Sequence, residues 1–456
     1  MLFHGSAEKT AKWFEGWALE ALVVVPAAGI LFLFFVATYD PAAFAAGVAA
    51  LVILSPLWLP VVLGIMLWVV WIDYIRFRYW VGFEKVLLEI QLPPEVEKSP
   101  LAMEVVFNGI FNNGAETTFI ERFWKGRFIP IWSFEIASNE GRISFYIHTP
   151  KGWKDFVEAR VYGQFPEAKI TEVPDYTARV NFNLGEHDAW VGEYRKTATV
   201  PAYPIKTYID YGMDKSPDVP EVQVDPLTHV LEIMGGLGKD QYLWMQIIVK
   251  AYKPEAYNAW YGIYLGKGGY EKAAEKEIKR ITEAAIKRAQ ELTADEAEKK
   301  KVGTRGAMLL TEGEKRRVEA IERSLGKPFF ECGIRTVYFA KKERFVGITG
   351  APLFRFFESY RSPYTELKGT RGMVGFDYPW EDFMGLRKAH IKKQQIEFFK
   401  QRAYFYVPYD QRPVFLTTEE LASLWHFPSS VVKTPGLSRV SARRAEAPPN
   451  LPTLPT

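Results

Sequence analysis

Gly235-Gly236-Leu237-Gly238-Lys239 is the stretch closest to a phosphate-binding loop, because clustered glycines followed by lysine bring backbone N–H groups and an ammonium to a nucleotide. Asp240 follows where a hydroxyl would hold Mg²⁺, and its carboxylate would repel phosphate, so the stretch reads as a turn. Gly266-Lys267-Gly268-Gly269 runs into Tyr270 and reads the same way. His187-Asp188 beside Glu186 is the one dense acid–base cluster; with no nucleophile on a strained elbow, it reads as a polar loop before it reads as a catalytic pair. Six histidines (His4, His148, His187, His229, His390 and His426) are scattered without an HExxH spacing. A single cysteine can make neither a disulfide nor a thiolate zinc site, and Cys332, between Glu331 and Gly333 at the start of an apolar strand, reads as a small core residue. The expectation is a chain with no catalytic residue, no metal and no cofactor.

The chain has 456 residues, enough for two or three domains. Its 57 Lys and Arg against 54 Asp and Glu leave a net charge of +3, without the field expected of a protein that lives on nucleic acid. Apolar residues make up 48% and charged ones 24%, an average that hides two unlike regions.

The first region is apolar. No charge occurs from Ala21 to Tyr39, nor, after Asp40-Pro41, from Ala42 to Ile72, and each run reaches or approaches the ~20 residues that cross a bilayer as a helix. A cleaved signal peptide is the competing reading, disfavoured by the preceding Glu8, Glu15 and Glu20 and by the second run. Trp13, Trp17 and Tyr39 bracket the first run and Trp68, Trp71 and Tyr74 close the second, where amphipathic rings favour the headgroup boundary. Lys9 and Lys12 before the pair, and Arg76 and Arg78 after it, place both ends in the cytoplasm by the positive-inside rule. Residues 1–80 are therefore expected to form a two-helix transmembrane hairpin, kinked at Pro26, Pro56 and Pro60.

The second region alternates strand and helix patterns. Lys85–Leu92 reads as a strand, Ser99-Pro100 caps a helix through Phe111, and Ile131–Ala137 and Arg142–His148 read as a hairpin across Ser138–Gly141. A helix after Thr149-Pro150 and a strand at Ala168–Val173 complete a βαββαβ order, the ferredoxin-like split motif, over residues 81–180. A second such unit is read over 181–412. Its expected parts are a strand at Ile205–Ile209, a helix from Asp225-Pro226, strands at Gln241–Val249 and Gly333–Ala340, a helix over Arg344–Tyr360, and a closing strand at Ala403–Val407. SPLAMEVVFNGI and DPLTHVLEIMGG are the best-matching segments of this duplication, though capped amphipathic helices also coincide by chance. Residues 266–325, with 15 Lys and Arg from Gly266 to Leu325 and 12 Asp and Glu, are expected to insert as a solvated helical hairpin. Its basic residues permit contact with nucleic acid or acidic lipid without requiring it. The fold class is thus α+β: a membrane hairpin and tandem ferredoxin-like units, then a short helix and a Pro-rich basic tail over 413–456.

In that tail Thr417-Thr418-Glu419-Glu420 has capping-box character, and Trp425, His426 and Phe427 end the helix beside a linker-like stretch. An exposed aromatic cluster there would suit a partner's pocket; the alternative is that the three pack on the chain's own sheet.

LEIQLPPEVEKSPLAMEVVFNGI (Leu88–Ile110), RFWKGRFIPIWSFEIAS (Arg122–Ser138), FPEAKITEVPDYT (Phe165–Thr177), TTEELASLWHFP (Thr417–Pro428) and APPNLP (Ala447–Pro452) carry a resemblance over most of the soluble part. Through them the chain resembles predicted type IV secretion or conjugative DNA-transfer proteins of candidate-phylum bacteria. In those proteins a membrane hairpin and a domain of unknown function precede an FtsK/HerA-type motor ATPase. The chain stops where that motor should begin, so no nucleotide-binding residue carries over, and the resemblance implies a P-loop motor that is either a separate polypeptide, docked in trans, or missing from this sequence. The leading expectation is a non-catalytic inner-membrane anchor and adaptor, a homo-oligomer that docks this motor. A self-assembling membrane scaffold and a membrane-tethered enzyme are the alternatives.

Overall fold

The computed structural model describes residues 38–93, 98–112, 118–178, 182–183, 185–198, 200–214, 224–253, 255–258, 263–267, 269–292, 310–345, 353, 355–370, 382, 385–406 and 408–428. The first expected membrane run lies almost wholly outside them. The chain divides into two compact units, Met1–Trp71 and Ile72–Thr456.

In the first unit, helix α1 (Pro41–Ile53) is followed by the start of α2 (Ser55–Val81). The uncharged run read from Ala42 therefore breaks at Leu54, where Ser55-Pro56 restarts the helix with proline near its first turn. With 13 residues α1 spans only ~20 Å, whereas the 27 residues of α2 span ~40 Å, so α2 is long and apolar enough to cross a membrane. From Leu57 to Leu67 its side chains are mostly exposed, with Leu57 at 71% and Leu67 at 70%.

The second unit is built on one antiparallel sheet. Its first half comprises β1 (Lys85–Gln91), α3 (Pro100–Ile110), the short α4 (Phe119–Phe123), β2 (Ile131–Asn139), β3 (Arg142–Pro150), α5 (Lys154–Gln164) and β4 (Lys169–Val173). Positive φ at Glu140 and Gly141 makes the β2–β3 connection a two-residue turn whose twist matches its strands. The second half comprises β5 (His187–Lys196), α6 (Leu227–Gly235), β6 (Gln241–Ala251), a small hairpin of β7 (Glu255–Asn258) and β8 (Ile263–Lys267), then α7 (Gly269–Leu292), α8 (Glu312–Leu325) and β9 (Phe329–Lys341). After β10 (Leu367–Thr370) come α9 (Leu386–Gln401), the short strands β11 (Phe405–Tyr406) and β12 (Tyr409–Asp410), β13 (Val414–Thr417) and α10 (Thr418–Leu424).

The strand order is β10-β5-β9-β6-β2-β3-β1-β4, with β13 added to β9. Strands β2 and β6 meet antiparallel from Ile131↔Lys250 to Asn139↔Tyr242. Outward from this seam the two quartets have the same order, each ending with its first strand flanked by its third and last.

Several expectations for the second half are corrected. Ile205–Ile209 is no strand: Thr207 closes a turn on Asp210, and the Ile205 and Tyr208 N–H groups donate to Glu420 and Ser423 instead of to a neighbouring strand. His187–Lys196, read as starting in a polar loop, is the strand β5. Of the helix expected over Arg344–Tyr360, residues 346–352 and 354 lie outside the described residues, and its end, 355–360, is a turn followed by a 3₁₀ turn at Glu358–Tyr360. Ala403–Val407 contributes β11 to a separate two-stranded hairpin, and β10 takes the sheet edge. Helices α7 and α8 fall in the charged insertion and are tied by an Arg288–Glu314 pair at 2.9 Å.

Alternation divides the core between the two faces. Leu88, Phe134, Ile136, Phe145, Met245 and Ile334 lie in the larger cluster with Phe107 of α3, Val161 of α5 and Leu231 of α6. On the opposite face Leu87, Tyr146, Trp244 and Phe339 meet Ile396 and Phe399 of α9.

Candidate functional site

Three clusters of polar side chains lie within the second unit. The first is at the seam under α9. Glu135 of β2 and Gln246 of β6 are register partners, and the Gln246 amide donates to Glu135 Oε1 at 2.8 Å. Arg335 of β9 donates to Gln246 Oε1 at 2.7 Å and to the carbonyls of Phe398 and Ala403, so its cation meets the C-terminal end of α9. Arg402, in the left-handed conformation just past α9, donates to both Glu135 oxygens at 3.0 and 3.1 Å and also holds Asp175. Tyr176 donates to Glu135 Oε2 at 2.7 Å. Burial pushes the Glu135 carboxyl up, but the Arg402 guanidinium and its neighbours outweigh it and hold the group below the ordinary range. Burial, with Arg402 adding to it, drives His148 down to about 3, so its imidazole is neutral. Every carboxylate oxygen here has a donor, which makes this a framework: it ties α9 to the seam.

The second cluster surrounds α10. Thr417 and Glu420 form a complete capping box, as the TTEE pattern implies. Glu419 and Glu420, at 2% and 1% exposure, meet cations from distant segments: Arg323 and Lys327 reach Glu419, and Lys196 reaches Glu420 at 2.7 Å. Burial raises the Glu419 carboxyl, and Arg323, Lys327 and Thr207 more than reverse the effect. Trp425, His426 and Phe427 are 0, 1 and 2% exposed. Trp425 packs against Phe134 and Phe145, Phe427 against Phe165, and His426 Nε2 lies 3.2 Å from Asp225. The three side chains expected to be offered to a partner are inside the core, because the β13–β9 pairing carries α10 between the helices of the two halves.

The third cluster is a cavity of about 430 Å³ where α2 enters the sheet unit. Tyr79, Trp80, Phe83, Phe128 and Trp153 supply aromatic walls, and Lys85, Asn112 and Arg127 supply polar groups. Lys85 Nζ sits 3.3 Å from the centroid of the Trp80 ring. Burial, followed by the nearby Arg402 charge, lowers the Lys85 ammonium to about 7, while the ring face favours the charged form. The combination provides an amine close to its neutral point inside an aromatic pocket, suited to a small anionic group. Nothing in the residue pattern marked it, since Lys85 reads as the first residue of an alternating strand.

The remaining candidates have framework roles. Asp188 pairs with Lys392 of α9, and His187 is buried at the start of β5. Gly235–Asp240 forms the end of α6 and a turn in which Gly238 N–H donates to Gln241. Cys332 is fully buried, and burial raises its thiol well above the usual range. Among the described residues no three His, Cys, Asp or Glu side chains gather as metal ligands.

Residues 83–439 match a family model described as Domain of unknown function (DUF8128). The match covers most of the chain, which therefore belongs to that family. No curated protein matches the sequence.

Proposed function

We propose that this DUF8128 chain is a non-catalytic membrane anchor and adaptor, made of two ferredoxin-like βαββαβ units behind a membrane hairpin with both ends in the cytoplasm. The observation that carries the anchor is α2, which is unbroken from Ser55 to Val81 and whose end is part of the sheet unit: Ile72, Ile75 and Arg76 are buried there. The matching strand orders on either side of the β2–β6 seam support a duplication. The acid–base groups of the seam and of α10 are engaged in framework contacts, which supports an adaptor over an enzyme.

Attachment to a type IV secretion or conjugative machine, with a P-loop motor docked in trans, rests on the sequence resemblance alone. Docking is reassigned from Trp425–Phe427 to residues after Pro428, since the aromatic trio is in the core. The experiment compares the full chain with one ending at Pro428, each purified from native membranes in mild detergent. Loss of a co-purifying P-loop ATPase from the shorter chain is the expected result. Equal recovery removes the tail from the proposal, and absence of any motor from both, with cross-linking to closed rings, replaces the adaptor with a scaffold.

A further inference from the structure

Thr118 caps α4, which turns Phe119 and Ile120 outward and Phe123 inward. Phe119, Ile120 and Trp124 are 63, 61 and 59% exposed, and Phe119 packs on Trp124 with ring centroids 6.3 Å apart. Three large apolar side chains on one short turn are costly to leave in water. Arg122 and Lys125 stand among them.

The position of this turn is set by the backbone that follows it. Gly126 has φ +68, and a Cβ on it would lie 2.3 Å from the Ile75 carbonyl oxygen, so the backbone rests directly on α2. Arg127 pairs with Glu121 at 2.9 Å, closing the turn on itself. Asp73 is the first charge after the long apolar run of α2, so the hydrocarbon boundary falls near Ile72. Ile75 is three residues beyond, or ~5 Å along the helix axis. That is the depth of the headgroup region, where tryptophan and interfacial cations are favoured. Tyr74 and Phe77, on the same turn of α2 as Ile75, are 53 and 43% exposed.

We infer that the 118–125 turn is a second membrane contact, a foot whose Phe119, Ile120 and Trp124 enter the headgroup–acyl boundary of the bilayer that α2 crosses, with Arg122 and Lys125 toward lipid phosphates. The inference rests on the anchor reading of α2 and adds to it a second point at which the sheet unit touches lipid. The occupant is lipid because the turn is seated on α2 at Ile75, three residues past the end of its uncharged run, and carries Arg122 and Lys125 among its apolar side chains.

The test places a nitroxide at Ile120→Cys, at Trp124→Cys, at Leu67→Cys on α2, and at Leu386→Cys at the far end of α9, each in the full chain with Cys332→Ala. The host is a nanodisc of phosphatidylethanolamine and phosphatidylglycerol, and the readout is collision with lipid-soluble oxygen against water-soluble nickel chelate. The foot requires the oxygen-to-nickel ratio at 120 and 124 to stand severalfold above that at 386. A lipid-like value at 67 with a water-like value at 120 and 124, or shielding of these two from both reagents by a protein surface, overturns the foot and leaves the anchor. A water-like value at 67 overturns both.

Discussion

Gln246 and Glu135 lie directly opposite each other on the two strands that join at the middle of the sheet, and the Gln246 amide donates to the Glu135 carboxylate at 2.8 Å. Around this one contact Arg335, Arg402 and Tyr176 converge, so the middle of the sheet, where β2 meets β6, is held by ionic as well as ladder bonds. Glu135→Ala leaves the buried Arg402 with Asp175 as its remaining carboxylate partner. Removing one member of a buried pair costs about 3–5 kcal/mol, whereas Glu135→Gln retains an acceptor and costs less. Urea unfolding in mild detergent should rank wild type above Gln above Ala; equal midpoints would show that the seam does not depend on the charge.

The same cluster predicts a pH dependence. His148 titrates near 3 when folded and near the ordinary 6.5 when unfolded, so between these values the unfolded chain binds more protons. Stability contributed by the neutral imidazole is complete above about 6.5 and falls as pH drops toward about 3. Glu135 and Asp175, both held below the carboxylate range, act in the same direction once pH falls through ordinary carboxylate values. Unfolding midpoints should decline steadily from pH 7 to 4, and His148→Asn should flatten the portion above pH 5. A midpoint independent of pH would contradict the burial of this imidazole.

Lys85 should be the most reactive lysine of the cavity region. At about 7, its amine is about nine-tenths neutral at pH 8, whereas an ordinary exposed lysine is well under about 1% neutral. Brief treatment with a small anionic aldehyde and borohydride at pH 8 should place the label on Lys85 ahead of the exposed Lys151, and inorganic phosphate should slow it. Peptide mapping that finds Lys85 no faster than surface lysines removes the pocket as a binding site.

Trp425→Ala should behave as a core deletion, with a loss of about 3–5 kcal/mol. The indole is fully buried, packs against Phe134, Phe145 and Phe427, and donates from Nε1 to the Glu135 carbonyl at 3.3 Å. A large drop in thermal stability with the motor absent from the preparation checks this; an unchanged melting temperature with lost partner binding would restore the docking role to this residue.

The legible parts of the chain were those with local signals. Lys85–Gln91, Ile131–Asn139, Arg142–Pro150, Gln241–Ala251 and Phe329–Lys341 alternate or run apolar, and the Thr417 capping box starts α10 as its spacing implies. His187–Lys196 was hidden because Asp188 and Glu193 break its apolar pattern, and each is matched by a residue some two hundred positions later: Lys392 for Asp188 and Tyr409 for Glu193. The burial of Trp425–Phe427 was one of the two readings that the sequence left open, and long-range ion pairs beside it were what the sequence could not show. Glu419 and Glu420 look solvent-facing until Arg323, Lys327 and Lys196 are brought to them by the sheet. The Lys85 cavity carried no motif, since its walls come from α2, β1, Asn112 after α3, the stretch before β2 and Trp153 after β3.

The β13–β9 pairing and the seating of Trp425 between both halves impose an order on biogenesis. The strands β1 to β9 are synthesised well before Phe427, so the face of the sheet that receives Trp425 stays uncovered until the chain has been made as far as α10.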